Sequence, residues 1–137
     1  MKVALKRSAI NRGGRVGHVE TTDGRLHHEL ATPSEMTGKK TDDTNSFELV
    51  ALAYAACFGS ALQKAFEVKE VNYDDFSVEV ENVVLADEKG KKFSFNLKVQ
   101  IDGVDDSIKQ DMVDSANAIC PFSKAIKGNV DVDITIV

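Results

Sequence analysis

Apolar and polar residues alternate along the second half of the chain with the two-residue period of a β-strand. The alternation is clearest over residues 76–80 and 93–101, where Phe, Val, Leu and Ile are interleaved with Ser, Glu, Asn, Lys and Gln. A polar stretch at residues 87–91 separates these two segments, which together predict a half-buried hairpin. A shorter alternation over residues 130–136 follows a Gly128-Asn129 turn and predicts a final strand.

The first third of the chain contains three shorter segments with strand character, at residues 2–7, 16–21 and 26–31. They are separated by turn residues at 11–14 and at Thr22-Asp23-Gly24, where glycine accepts positive φ freely and Asp-Gly favours a hairpin. Three short strands joined by tight turns predict an antiparallel meander. The polar residues that follow this meander predict a loop.

A long helix is predicted over residues 45–66. Asn45 is a good N-cap residue, and Glu48 follows three residues later, where its carboxylate can reach back to the cap N–H. The segment is apolar on nearly every face, and one chain of this size can hardly cover it, so we expect a partner subunit. The uncharged run at 49–63 is shorter than the ~20 residues that cross a bilayer, so no membrane span is expected.

A second helix is predicted where apolar residues recur at helical spacing after Asp105 and Asp106, either of which can cap it. These apolar residues are Ile108, Met112, Ala116 and Ile119. Pro121 should end the helix, because proline disfavours helical geometry in the residue before it. The order of strands and helices predicts an α+β fold with antiparallel sheet, and residues 1–137 are expected to form a single domain.

Composition and charge limit the partners and the cellular location that we expect. The chain has 137 residues, of which 42% are hydrophobic and 28% charged, with a net charge of −5. An acidic balance argues against nucleic acid as a partner, because binding to phosphates needs a basic surface. Neither a signal peptide nor a membrane segment is predicted, so a cytoplasmic location is expected.

Two cysteines are the first candidates for chemistry. Cys57 lies within the long apolar helix and Cys120 at the end of the second. Each taken alone is typical of a buried core residue, because free cysteines are among the most buried side chains. The alternative is a reactive thiolate at Cys57, which would need a nearby cation. If the two helices pack together, one cysteine could resolve a sulfenic acid on the other.

No metal or cofactor is predicted. The cysteines form no CxxC pair, and His18, His27 and His28 are too scattered for a zinc-site pattern. His27 and His28 are adjacent, so on a strand they would face opposite sides, and we interpret them as surface or sheet residues.

Three motifs together resemble one protein family. They are YAACF around Cys57, CPFSKA starting at Cys120 and followed by GNVDV, and GGRxGxV containing Arg15. In this order and over the whole chain, they resemble the organic hydroperoxide resistance (Ohr) and osmotically induced (OsmC) protein family. The wording of the second cysteine motif is closer to the Ohr branch.

The resemblance implies a thiol-dependent peroxidase that reduces alkyl or fatty-acid hydroperoxides to alcohols. It implies an OsmC-like fold in which antiparallel sheets wrap two central helices of an intertwined homodimer, with active sites at the subunit interface. Cys57 would be the peroxidatic cysteine, Cys120 the resolving cysteine and Arg15 the cation that favours the thiolate. The reductant would be a dithiol, typically a lipoyl group on a protein.

The same resemblance suggests an apolar substrate pocket, for which Phe47, Phe58 and Phe122 are candidate lining residues. Each of the three could equally be an ordinary core residue. At the start of the long helix the family usually has a proline followed by a glutamate that pairs with the arginine, where this chain has Ser46 and Phe47. Glu48 lies on the opposite helix face from Cys57 and should not replace that glutamate.

The departure leaves open what holds Arg15, for which Asp42, Asp43 or a glutamate of another chain are candidates. It also leaves two alternative functions open. One is a diverged family member that binds a small apolar ligand with weak or no peroxidase activity. The other is a structural dimerisation domain.

Overall fold

The computed structural model describes residues Met1–Val137. Its backbone contacts form two compact units, Met1–Leu49 and Val50–Val137. The strands are β1 (Ala9–Arg12), β2 (His18–Thr21), β3 (His27–Glu29), β4 (Asp75–Asp87), β5 (Gly90–Asp102) and β6 (Val132–Ile136). The helices are α1 (Ser34–Thr37), α2 (Ser46–Lys69), α3 (Asp106–Ile119) and α4 (Pro121–Ile126). This mixed α+β architecture confirms the predicted fold class, while the single-domain expectation stays a prediction.

The first unit contains the predicted antiparallel meander, in which β2 pairs with β1 on one side and β3 on the other. Gly24 closes the β2–β3 turn at φ 72°, and its N–H donates to the carbonyl of Thr21. The strand predicted at residues 2–7 is wrong, because β1 begins only at Ala9. The side chains of residues 2–7 are exposed and no strand pairs with them, and alternation alone cannot supply a partner.

The N-terminus of α2 is capped as predicted. The side-chain oxygen of Asn45 accepts hydrogen bonds from the N–H groups of Phe47 and Glu48, each at 3.0 Å. The carboxylate of Glu48 instead accepts a hydrogen bond from the Thr44 hydroxyl at 2.7 Å, so the predicted return contact to the cap N–H is wrong. Because the amide side chain satisfies two of the free N–H groups, the helix begins directly after Asn45.

The central part of α2 buries a row of large side chains at four-residue spacing, which lie on one helix face. They are Tyr54, Phe58, Leu62 and Phe66. By length and hydropathy α2 could cross a membrane, but 33% of its most apolar window is buried and core helices of soluble proteins meet the same criteria. On another face Leu52 is 64% exposed, which agrees with the expectation of a partner subunit.

The second unit packs α2 and α3 into one hydrophobic core with β4, β5 and β6. The inward residues of β5 alternate as predicted, and they are Phe95, Leu97, Val99 and Ile101. β4 and β5 pair antiparallel, whereas β6 pairs with β5 in parallel. A parallel pair needs a crossover connection, which α3 and α4 provide between β5 and β6.

Candidate active site

The two cysteine sulfurs lie in contact. Sγ of Cys120 is 3.3 Å from Sγ of Cys57, although 63 positions separate them in the chain. Cys57 is carried by α2, and Cys120 occupies the single residue between α3 and α4. A disulfide bond measures about 2.0 Å, so an approach of about 1 Å would join the two sulfurs. The packing of the helices therefore brings the two cysteines into contact, which the local sequence patterns could not show.

Proline organises the backbone around Cys120. It ends α3, as predicted, and also occupies the first position of α4, where its missing N–H leaves no hydrogen bond unmade. The N–H of Phe122 donates to Cys57, and the N–H of Ser123 donates to the sulfur of Cys120 at 3.5 Å. The first turn of α4 therefore presents one backbone donor to each sulfur.

The two cysteines differ in exposure. Cys120 is fully buried, whereas Cys57 is half-buried. A solvent-borne reagent therefore reaches the Cys57 sulfur more readily than that of Cys120.

Burial raises the pKa of the Cys57 thiol above its ordinary value, because a thiolate is poorly solvated there. The N–H of Phe122 acts in the opposite direction, and the neighbouring Cys120 adds to the increase. No lysine or arginine of the unit Val50–Val137 lowers the pKa. A reactive thiolate at Cys57 would therefore need a cation from outside the groups that surround it in this unit.

Aromatic rings pack beside the sulfurs. The ring of Phe122 stacks on Tyr54 at a centroid distance of 4.4 Å, and Phe95 meets both rings edge-on. The hydroxyl groups of Tyr54 and Ser123 lie 2.9 Å apart in the interior. Both residues occur in the cysteine motifs, but their contact could not be found from the sequence because 69 positions separate them.

A cavity of about 630 Å³ adjoins this aromatic group. Tyr54 and Ser123 form part of its wall, Ile126 and Val130 add apolar surface, and Lys124 also lines it. Among the predicted lining residues of this unit, Phe122 is half-buried and Phe58 is fully buried in the core. Their roles in substrate binding stay predictions.

Arg15 lies in the first unit, on a single turn of 3-10 helix at Gly14–Val16. Its Nη1 atom is 3.6 Å from the sulfur of Met36, a weak acceptor. Arg15 forms no ion pair with Asp42, Asp43 or another acidic side chain of its unit.

A cavity of about 370 Å³ in the same unit is lined by both Arg15 and Phe47. Apolar side chains of Val19, Leu30 and Leu49 complete much of its wall. The structure thus places the predicted arginine and one predicted lining phenylalanine at one cavity, and the two cysteines with Phe58 and Phe122 in the other unit.

Comparison with known proteins defines the class. A profile of the family described as OsmC-like protein matches residues 38–135, a span that includes both cysteines. The chain therefore belongs to the OsmC-like protein family, which confirms the resemblance drawn from the three motifs.

Within this family the chain is similar to proteins named for organic hydroperoxide resistance. It is 35% identical over 127 residues to organic hydroperoxide resistance protein OhrB of Bacillus subtilis, covering 91% of this chain and 92% of the relative. It is 34% identical over 137 residues to the organic hydroperoxide resistance protein of Xanthomonas axonopodis pv. citri, covering 98% and 96%. The crystal structure of an organic hydroperoxide resistance protein OsmC from Legionella pneumophila superimposes with a TM-score of 0.93 at 40% identity, over 98% of each chain.

Proposed function

We propose that this protein is a cysteine-based peroxidase that reduces organic hydroperoxides to alcohols in defence against oxidative stress in the cytoplasm. The observation that carries the proposal is the 3.3 Å separation between the sulfurs of Cys57 and Cys120. The names of its relatives, which refer to organic hydroperoxide resistance, support the substrate class.

The reaction would begin with the more exposed sulfur. The Cys57 thiolate attacks the distal oxygen of the hydroperoxide, so that an S–O bond forms while the O–O bond breaks. The alkoxide leaves and takes up a proton to become the alcohol, and Cys57 becomes a sulfenic acid. The substrate is thereby reduced by two electrons and the sulfur is oxidised by two.

Cys120 would complete the cycle. Its thiol attacks the sulfenic sulfur, an S–S bond forms and water leaves, which protects Cys57 from further oxidation. An external dithiol then reduces the disulfide by thiol exchange and is itself oxidised. A lipoyl group on a protein is our candidate for this dithiol, because its two thiols close into a ring on oxidation. The N–H groups of Phe122 and Ser123 favour negative charge on the sulfurs during these steps.

Arg15 is our candidate for the cation that the half-buried Cys57 thiolate needs. Its guanidinium has no carboxylate partner within its own unit, so its charge is free to stabilise a thiolate and then the departing alkoxide. We further propose that the working protein is a homodimer. The exposed Leu52 on the apolar helix α2 supports this assembly.

A second function has one observation in its favour. Phe47 lines the cavity that contains Arg15, in the position where the family usually has a glutamate. An apolar cavity with one guanidinium suits a small molecule with an apolar body and one anionic group. In this alternative the protein binds such a ligand and has weak or no peroxidase activity.

Mass spectrometry after treatment with one equivalent of cumene hydroperoxide distinguishes the two functions. A peroxidase loses two hydrogens and yields a Cys57–Cys120 disulfide in the peptide map. In the Cys120→Ser variant the reaction should stop at a Cys57 sulfenic acid, which dimedone traps. An unchanged mass of the wild-type protein, with both thiols free, would favour the ligand-binding function.

A further inference from the structure

The β2–β3 hairpin of the first unit gathers two histidines and two glutamates on one face. In its antiparallel register His18 lies opposite Glu29, and Glu20 lies opposite His27. Residues two apart on one strand also share a face, so the four side chains form a square. His28 lies on the opposite face of the hairpin, between His27 and Glu29 in the chain.

Three of these residues converge with donor atoms. Donor atoms of His18, Glu20 and His27 all lie within 4.8 Å of one another. Nδ1 of His27 is 3.4 Å from Oε2 of Glu20. Two ligands of a tetrahedral ion at about 2.0–2.1 Å from the metal are themselves about 3.3 Å apart, so this pair needs almost no movement to hold one ion. The donor atom of His18 must approach by up to about 1.5 Å, which a small side-chain rotation allows.

Glu29 holds the other nitrogen of the His27 ring. Its Oε1 atom lies 2.8 Å from Nε2 of His27. A carboxylate that accepts a hydrogen bond from one ring nitrogen leaves the lone pair of the other nitrogen for a metal, and this arrangement orients the histidines of many zinc sites. The ring of His18 stacks on that of His27 at a centroid distance of 4.8 Å, which keeps the two imidazoles side by side.

We propose that this face of the hairpin binds a divalent transition metal of the Zn²⁺ class. His18, Glu20 and His27 are the ligands, Glu29 orients His27, and water fills the fourth position. Two imidazoles and one carboxylate suit Zn²⁺ and its neighbours rather than Ca²⁺ or Mg²⁺, which prefer oxygen ligands. The site uses neither cysteine and stands whether or not the proposed peroxidase function is correct.

Arg12 should oppose metal binding at this site. It lies opposite His18 in the β1–β2 register and therefore shares the same face. A guanidinium beside a bound cation raises the free energy of the complex. Replacing it in Arg12→Gln should accordingly tighten metal binding, which provides a variant with a gain rather than a loss.

The test is a zinc titration of the full chain in competition with a chromophoric chelator. The titration uses a background in which both cysteines are replaced by serine, because cysteine thiolates also bind zinc. This cysteine-free protein should bind one Zn²⁺ per chain, and His27→Gln and Glu20→Gln, introduced into it, should each lower the affinity by about tenfold or more. His28→Gln is the matched control and should bind as the cysteine-free protein does, while circular dichroism checks that each variant is folded.

The proposal is wrong if the protein binds no zinc below millimolar concentration. It is also wrong if His28→Gln and His27→Gln lose affinity equally, or if neither His27→Gln nor Glu20→Gln changes the affinity. Co²⁺ provides a second readout, since its visible spectrum reports ligand geometry. A spectrum of unbound aqueous Co²⁺ in the cysteine-free protein would likewise contradict the proposal.

Discussion

The hydroxyl groups of Tyr54 and Ser123 lie 2.9 Å apart, parallel to the contact between the sulfurs of Cys57 and Cys120. Tyr54 precedes Cys57 by three residues, and Ser123 follows Cys120 by three. Residues three apart on a helix are neighbours, so the two contacts tie α2 to the beginning of α4 side by side. The hydroxyl pair therefore helps to set the separation of the sulfurs.

The Tyr54→Phe variant tests this link. It leaves Ser123 without its partner in a buried position, so the free energy of unfolding should fall by about 1–3 kcal/mol in urea denaturation of the reduced protein. Disulfide formation after peroxide treatment should also slow, because the sulfurs are held less firmly. Tyr73→Phe is the control, since the Tyr73 hydroxyl makes no hydrogen bond. Equal effects of the two substitutions would refute the proposed link.

The pH dependence of Cys57 alkylation tests the role of Arg15. Burial raises the pKa of Cys57, so without a cation the thiolate forms only above the ordinary thiol pKa. If Arg15 supplies the cation, the alkylation midpoint should lie at higher pH in Arg15→Gln than in the wild type. Arg25→Gln, which removes another arginine of the same unit, should leave the midpoint unchanged. Identical midpoints in all three proteins would exclude Arg15 from this role.

The raised pKa of Cys57 also has a consequence for stability. Where no cation stands beside Cys57, as in Arg15→Gln, the thiol of the folded chain keeps its proton at pH values where the unfolded chain loses it. The folded state then binds more protons, and the contribution of Cys57 to stability falls as pH rises above the ordinary thiol pKa. Adding Cys57→Ala to Arg15→Gln should therefore weaken the decline in the free energy of unfolding on the alkaline side. A decline of unchanged slope in the double variant would contradict this assignment.

Phe47→Glu introduces the acidic residue that the family resemblance leads us to expect beside Arg15. Phe47 and Arg15 line the same cavity, so a carboxylate at position 47 should pair with the guanidinium and orient it. We expect faster consumption of cumene hydroperoxide than in the wild type. Phe47→Gln is the control, because glutamine has the shape of glutamate without its charge. It separates the effect of the added charge from the effect of losing the phenyl ring. If Phe47→Glu changes neither the rate nor the pKa of Cys57, the substitution at this position does not tune the activity.

Gly17 permits the turn that carries Arg15. A Cβ atom at Gly17 would lie 1.8 Å from the backbone oxygen of Arg12, so a side chain there forces the turn open. Gly17→Ala should cost about 3 kcal/mol of stability and lower the peroxidase rate. Gly14→Ala is the comparison, because Gly14 has positive φ but open space around it, and it should cost about 1 kcal/mol. Thermal unfolding measures both, and an equal cost would show that crowding at Gly17 does not matter.

The family resemblance alone identified Cys57, Cys120 and Arg15 as candidates for a shared active site. Composition and periodicity alone left Cys57 and Cys120 as plausible core residues, because periodicity reports which face is buried and not which faces meet. The metal-site candidate was missed for the same reason. His18 and His27 are nine positions apart in the printed sequence, and only the strand register makes them neighbours.

The sequence by itself determined the two long helices, the half-buried hairpin and the start of α2 after Asn45, because side-chain periodicity and capping act over a few residues. It did not predict the short helices α1 and α4. Only the tertiary structure decided the parallel pairing of β6, the unpaired residues 2–7 and the 3.3 Å contact between the sulfurs. Each of these depends on which distant segments pack together. That choice is made by the whole chain as it buries apolar surface, and no local pattern encodes it.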